Sequence, residues 1–191
     1  MIRTLSTLVA ITALTMNLGA TVQADSSHDP SHGLVYTPGV SSPLIDKVRR
    51  ANDRFKDYRL AMTEGWVPGT PCVSGPDHGA MGVHFIKMSL IQNGVLDAEQ
   101  PEALIYEPEP GGGFRLVGAE FIVLVATWQS KNPGKGPPNL EGNLLNLVGS
   151  PNRYGLDPFY EIHVWAWQEN PSGNLSDWNN HVTCEQQPVS N

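Results

Sequence analysis

The sequence predicts an α+β domain: a mainly antiparallel β-sheet, or a small open barrel, with one N-terminal amphipathic helix packed on it. Three observations carry this expectation. One stretch, residues 43–64, repeats apolar residues every three or four positions. Several later stretches are apolar and strand-length, bounded by Gly and Pro. Finally, 19 Gly and 16 Pro in 191 residues exclude a helical bundle. The length suits a single domain, placed at residues 43–191, with core enough to fold without a dense disulfide scaffold.

Residues 1–24 read as a secretory signal. Arg3 is the one charge, residues 5–18 form a short apolar run diluted with Thr, and Val22-Gln23-Ala24 is a small-residue cleavage site. The run is too short for a membrane span and is interrupted by Ser6, Thr7, Thr12, Thr15 and Asn17. Residues 25–42 are polar and read as a flexible leader, in which His28 and His32 could hold copper loosely.

The helix follows. Leu44, Val48, Ala51, Phe55, Tyr58 and Met62 form its apolar stripe, Ser42 and Pro43 open it and Gly65 stops it. Residues 66–80 form a Gly/Pro loop around Cys72. Strands are expected at 81–91, 103–107, 114–127 and 159–168, the middle two joined as a hairpin through Gly111-Gly112-Gly113. Residues 129–158 form a long Pro/Gly/Asn-rich stretch with an apolar interruption at 144–148, and loops of that length are more often functional than passive. A polar tail ends the chain and carries Cys184. In an exported chain two isolated cysteines, Cys72 and Cys184, pair as a structural disulfide.

Twelve basic against 19 acidic residues, net −7, argue against a nucleic-acid surface. The chain has no Gly-x-Ser-x-Gly elbow, no Ser-x-x-Lys, no phosphate loop and no dinucleotide fingerprint. Strand faces are more informative. Residues 114–125 are apolar at both parities, which marks a central strand and buries Glu120 whichever way the strand is turned. A lone buried carboxylate requires a cation, a donor network, a metal or a raised pKa. In the last strand Ile162, Val164 and Ala166 form one apolar face, opposite Glu161, His163, Trp165 and Trp167, which read as the lining of a pocket. His84 is a third polar residue within an apolar strand.

His84, Glu120 and His163 are therefore the candidate metal ligands, a set suited to zinc, copper or iron. The same residues would equally serve as a buried Glu–His hydrogen-bond pair that orders the core. Glu161, Trp165, Trp167 and His78 are the candidate ligand-binding residues, with His78 also a possible fourth metal ligand. His181 reads as a surface residue.

Further motifs point to relatives. Gly79-Ala80-Met81-Gly82-Val83-His84-Phe85, Pro101 to Pro108, Leu116 to Phe121, Glu161 to Trp167, and Asn170-Pro171-Ser172-Gly173 through Asp177-Trp178-Asn179 to Cys184 resemble a family of uncharacterised exported bacterial proteins. The chain departs from that pattern at Asn179-Asn180, where the family carries Asn-Pro. The resemblance implies an exported, disulfide-linked domain and places His84, Glu120 and His163 in signature segments, but it implies no activity.

The leading expectation is an exported, secreted or periplasmic binding protein for a small molecule or metal ion, with no membrane span. One alternative is a hydrolase or a metal-dependent oxygen-using enzyme, with Glu120 or Glu161 as general base and His84 or His163 as ligand or acid. The other is a non-catalytic envelope protein that contacts a partner through residues 129–158.

Overall fold

The computed structural model describes residues 42–187; the expected signal segment and the leader up to residue 41, with His28 and His32, lie outside the described residues. Helix α1 (Pro43–Asn52) begins as its sequence dictates, with Pro43 in the first turn and the Ser42 hydroxyl accepting from the Ile45 N–H at 3.2 Å. It is shorter than its periodicity predicts. A 3-10 turn (Asp53–Lys56) follows, and α2 (Tyr58–Thr63) starts afresh with the Asp57 carboxylate accepting from the Arg59 N–H. The break redirects the apolar stripe. Leu44, Ile45 and Val48 pack on one core cluster, whereas Phe55 and Ala61 belong to another. A straight helix would carry Phe55 away from the sheet, whose strands twist beneath it. Met62, at the end of the stripe, is exposed.

Beyond it run β1 (Val67–Pro68), β2 (Val73–Gly75) and β3 (Gly79–Ile86). The first predicted strand thus ends at Ile86, and residues after Lys87 form α3 (Met88–Asn93), closed by Gly94 at φ 64°. The hairpin is present as β4 (Ala103–Glu109) and β5 (Gly113–Leu124), with α4 (Val125–Lys131) taking the last residues assigned to the strand. The long polar stretch is not structureless. It contains the β6 (Asn139–Leu140) and β7 (Asn143–Leu144) hairpin and then β8 (Asn146–Val148). The final strand, β9 (Phe159–Val164), is four residues shorter than predicted.

The main sheet is antiparallel throughout and open, in the order β1-β3-β4-β5-β9-β8 with β2 also paired to β3, so the barrel alternative does not apply. One face packs against the helices through Phe121, Val123, Ile162, Val164, Phe85, Leu104 and Tyr106. The opposite face is covered by the loop before β9 and by the C-terminal tail. A bulge on β5 interrupts the simple parity of the sequence: Ile105 pairs with Gly118 but Tyr106 with Leu116, leaving Val117 as the extra residue. Leu116 accordingly joins the helix-side core, while Val117 packs with Ile105 and Trp165 on the other side.

Two devices fix the tail. Cys72 and Cys184 form a disulfide with Cα atoms 5.6 Å apart, as expected from the sequence. Ala80 and Asn179 exchange backbone hydrogen bonds of 3.1 Å, which requires Gly79: a Cβ there would stand 2.1 Å from the Asn179 carbonyl oxygen. Among the described residues no helix is long and apolar enough to cross a membrane.

Candidate metal centre

The strand register brings the sequence candidates to one face. Glu120 is directly opposite His163, and the row continues through Ala103 to Ile86; His84 lies one pleat along β3, opposite Ile105 and then Gly118. His84 and His163 are three strands apart, too far for small side chains to meet. Their imidazole rings nevertheless approach each other across the face that carries Glu120. Gly118, on the same face, leaves room for Trp165: a Cβ there would be 3.3 Å from the Trp165 ring.

The result is a buried group of three: His84, Glu120 and His163 are each 0% exposed, with ligand atoms all within 4.8 Å of one another. The Nε2 atoms of His84 and His163 are 3.4 Å apart, and His84 Nε2 is 3.5 Å from Glu120 Oε2. These residues could hold a metal ion. Tyr154 adds a fourth polar atom, its hydroxyl 3.3 Å from His84 Nε2 and 3.5 Å from Glu120 Oε1. On its outer side, His84 Nδ1 meets the Thr70 hydroxyl at 3.3 Å, so its Nε2 edge faces inward. The outer nitrogen of His163, Nδ1, faces two more carboxylates, Glu161 Oε2 at 3.3 Å and Asp177 Oδ1 at 3.8 Å.

Burial dominates the electrostatics. It holds His84 well below the ordinary imidazole range, reinforced by His163 and Arg153, so that ring is neutral and able to ligate. Burial, and next Glu161, push the Glu120 carboxyl well above its usual value. Tyr154 is raised by burial and then by Glu120, and Asp177 by burial and then by Glu161. Glu120 and Asp177 are thus both driven toward their neutral forms in one small volume. Glu120 Oε2, Glu161 Oε2 and His163 Nδ1 are moreover buried with no hydrogen-bond partner.

Not every predicted residue joins. Trp165 does: its ring stacks on His163 at 6.2 Å and 20°, and its N–H donates to the Ser176 carbonyl at 2.6 Å. Trp167 does not. The strand ends at Val164, the chain turns, and Trp167 packs on the helix side with its N–H donating to Asp53 at 3.0 Å. His78 is also excluded from the buried cluster; it is exposed on a turn 6.4 Å from the Trp178 ring and lines a surface groove of about 410 Å³ with Asp177 and Trp178. His181 is exposed, as expected.

Three participants are not singled out by strand periodicity. Tyr154 comes from the Gly/Pro/Asn-rich stretch, where Asn152 fixes the turn by accepting from the N–H groups of Tyr154 and Leu156. Thr70 lies in the loop after β1. Asp177 belongs to a tail loop held by Asn170, which donates to the Trp178 carbonyl at 2.9 Å, and by Asn179, which donates to the Glu169 carbonyl at 3.1 Å. No strand pattern in the sequence marks it.

No protein-family model, curated protein or solved structure matches this chain. The chemistry of the site therefore rests on its own geometry.

Proposed function

We propose that this chain is an exported metal-binding protein whose ion is held by His84, Glu120 and His163, with the Tyr154 hydroxyl as a neighbouring fourth donor. The carrying observation is the set of separations. Two donors sharing a tetrahedral ion at bonds of about 2.0–2.1 Å stand roughly 3.3–3.4 Å apart. The His84–His163 and His84–Glu120 separations are 3.4 and 3.5 Å, and Tyr154 stands 3.3 Å from His84. A network made only of hydrogen bonds would contract toward about 2.7–3.0 Å and would leave fewer buried atoms unpaired. Two imidazoles and a carboxylate suit zinc, copper or iron. Export is supported by the disulfide and by the signal-like first 24 residues.

A second role is favoured by one observation: the burial-raised Glu120 carboxyl adjoins Glu161, a pairing suited to proton transfer by a carboxylate-dependent enzyme. The metal-binding role is preferred because His84, Glu120 and His163 are all 0% exposed, which leaves a substrate no approach to them in this arrangement.

Metal analysis of untagged protein, purified without chelator, tests the proposal. About one equivalent or more of a transition metal is expected, lost in His84→Ala and His163→Ala. Less than about a tenth of an equivalent, with no thermal shift on adding zinc or copper, would overturn it.

A further inference from the structure

We propose that His163 bridges two metal ions, one on each ring nitrogen, so that the centre is dinuclear. This rests on the metal-binding role above and extends it to a second position. The candidate ligand sets, His84 with Glu120 and Glu161 with Asp177, have His163 in common: its Nε2 meets His84 and its Nδ1 faces Glu161 and Asp177, while Glu120 and Glu161 adjoin each other where the sets meet. The two nitrogens of an imidazole point in diverging directions, so one ion cannot serve both.

A simpler role for Glu161 is to accept a hydrogen bond from Nδ1 and thereby orient the ring, as carboxylates commonly do beside a metal-bound histidine. The geometry is against it. His163 Nδ1 and Glu161 Oε2 are 3.3 Å apart, yet both are buried and neither has a hydrogen-bond partner. The oxygen is close to the nitrogen but out of line for an N–H bond. Their separation instead equals the edge of a tetrahedral ion site, roughly 3.3–3.4 Å. Asp177, 3.8 Å from the same nitrogen, supplies a second oxygen on that side.

The two positions differ in access. The first is wholly enclosed. The second meets solvent, because the Asp177 side chain is 37% exposed and lines the 410 Å³ groove together with His78, Ser176 and Trp178. Its donors are well anchored: Glu161 lies on β9, paired with β5 and β8, and the Asp177 loop is held by Trp165 N–H to Ser176 and by Asn170 to Trp178. The expected occupant is a divalent transition-metal ion with a coordination position open to water from the groove. Loading it replaces the remaining proton of the His163 ring with the metal, and that proton is released to the buffer.

Dialysis of the metal-free chain against zinc, followed by metal counting, tests the bridge. Two zinc ions per wild-type chain and one in Asp177→Asn are expected, with Glu161→Gln as a second variant that also retains one. One zinc in the wild type and one in both variants overturns the bridge and leaves the single-site role standing. No zinc in any of the three overturns both. Copper provides an independent measurement: two copper(II) ions joined through one imidazolate couple magnetically, so the doubly loaded wild type should show far less EPR intensity than two independent spins. Full intensity at two coppers per chain overturns the bridge.

Discussion

The two faces of the sheet are built from the same strands and solve different problems. On β5, Phe121 and Glu120 are neighbours and both are completely buried. Phe121 faces the helices, in a cluster whose other buried members are Leu, Ile, Val and Ala. Glu120 faces loops, among two imidazoles, a phenol and further carboxyls. A helix brings a continuous apolar stripe and no spare polar groups to a sheet. Loops bring irregular backbone and isolated side chains such as Tyr154, Asp177 and Thr70. The helix-covered face is therefore suited to stability, and the loop-covered face gathers side chains that could hold an ion.

Substitutions can break or sharpen this contrast. The largest effect is expected on the helix side: Phe121→Ala should lower unfolding free energy by about 3–5 kcal/mol in denaturant titrations, equally with and without metal. On the loop side Glu120→Gln should behave differently. The burial-raised carboxyl is already neutral in the metal-free protein, so metal-free stability should change by less than about 1 kcal/mol. The stabilisation given by metal should be lost, about 2.7 kcal/mol at a concentration one hundred times the wild-type Kd. Calorimetry with and without zinc separates the two outcomes. An equal loss in both conditions would make Glu120 a structural residue.

A third effect, graded with pH rather than present at all pH values, concerns Glu102, which is fully buried with one oxygen accepting from the Ile122 N–H at 2.9 Å and the other unpaired. Burial raises its carboxyl to about 8. The folded state then holds a proton that the unfolded state releases above its ordinary value of 4.5, so this group lowers stability as pH rises from that value toward 8. Glu102→Gln should remove the dependence. It should gain on wild type by on the order of 1 kcal/mol per pH unit across this window. Parallel stability–pH curves for the two proteins would show that Glu102 ionises normally.

Much of this contrast was legible in the chain. Alternation along a strand assigns neighbours to opposite faces, so the burial of Glu120 and the shared face of Glu161, His163 and Trp165 followed from parity. Trp167 was misplaced because parity holds only while the strand continues, and a turn after Val164 has no apolar signature. The helix was overextended because the break at Asp57 preserves the spacing of the apolar residues. Tyr154 and Asp177 lie in irregular segments, where periodicity carries no information about direction.

The sequence by itself determined the class of fold, the disulfide partners and the internal placement of His84, Glu120 and His163, because each follows from local pattern or from elimination. Only the tertiary structure decided that His84 and His163 meet. Their contact crosses from β3 to β9 over the two strands between them and depends on the register of all four, while a tail fastened at Gly79 and Cys184 brings Asp177 to the outer side of His163. Strand pairing is a non-local choice, and a shift of one residue would turn every one of these side chains to the helices.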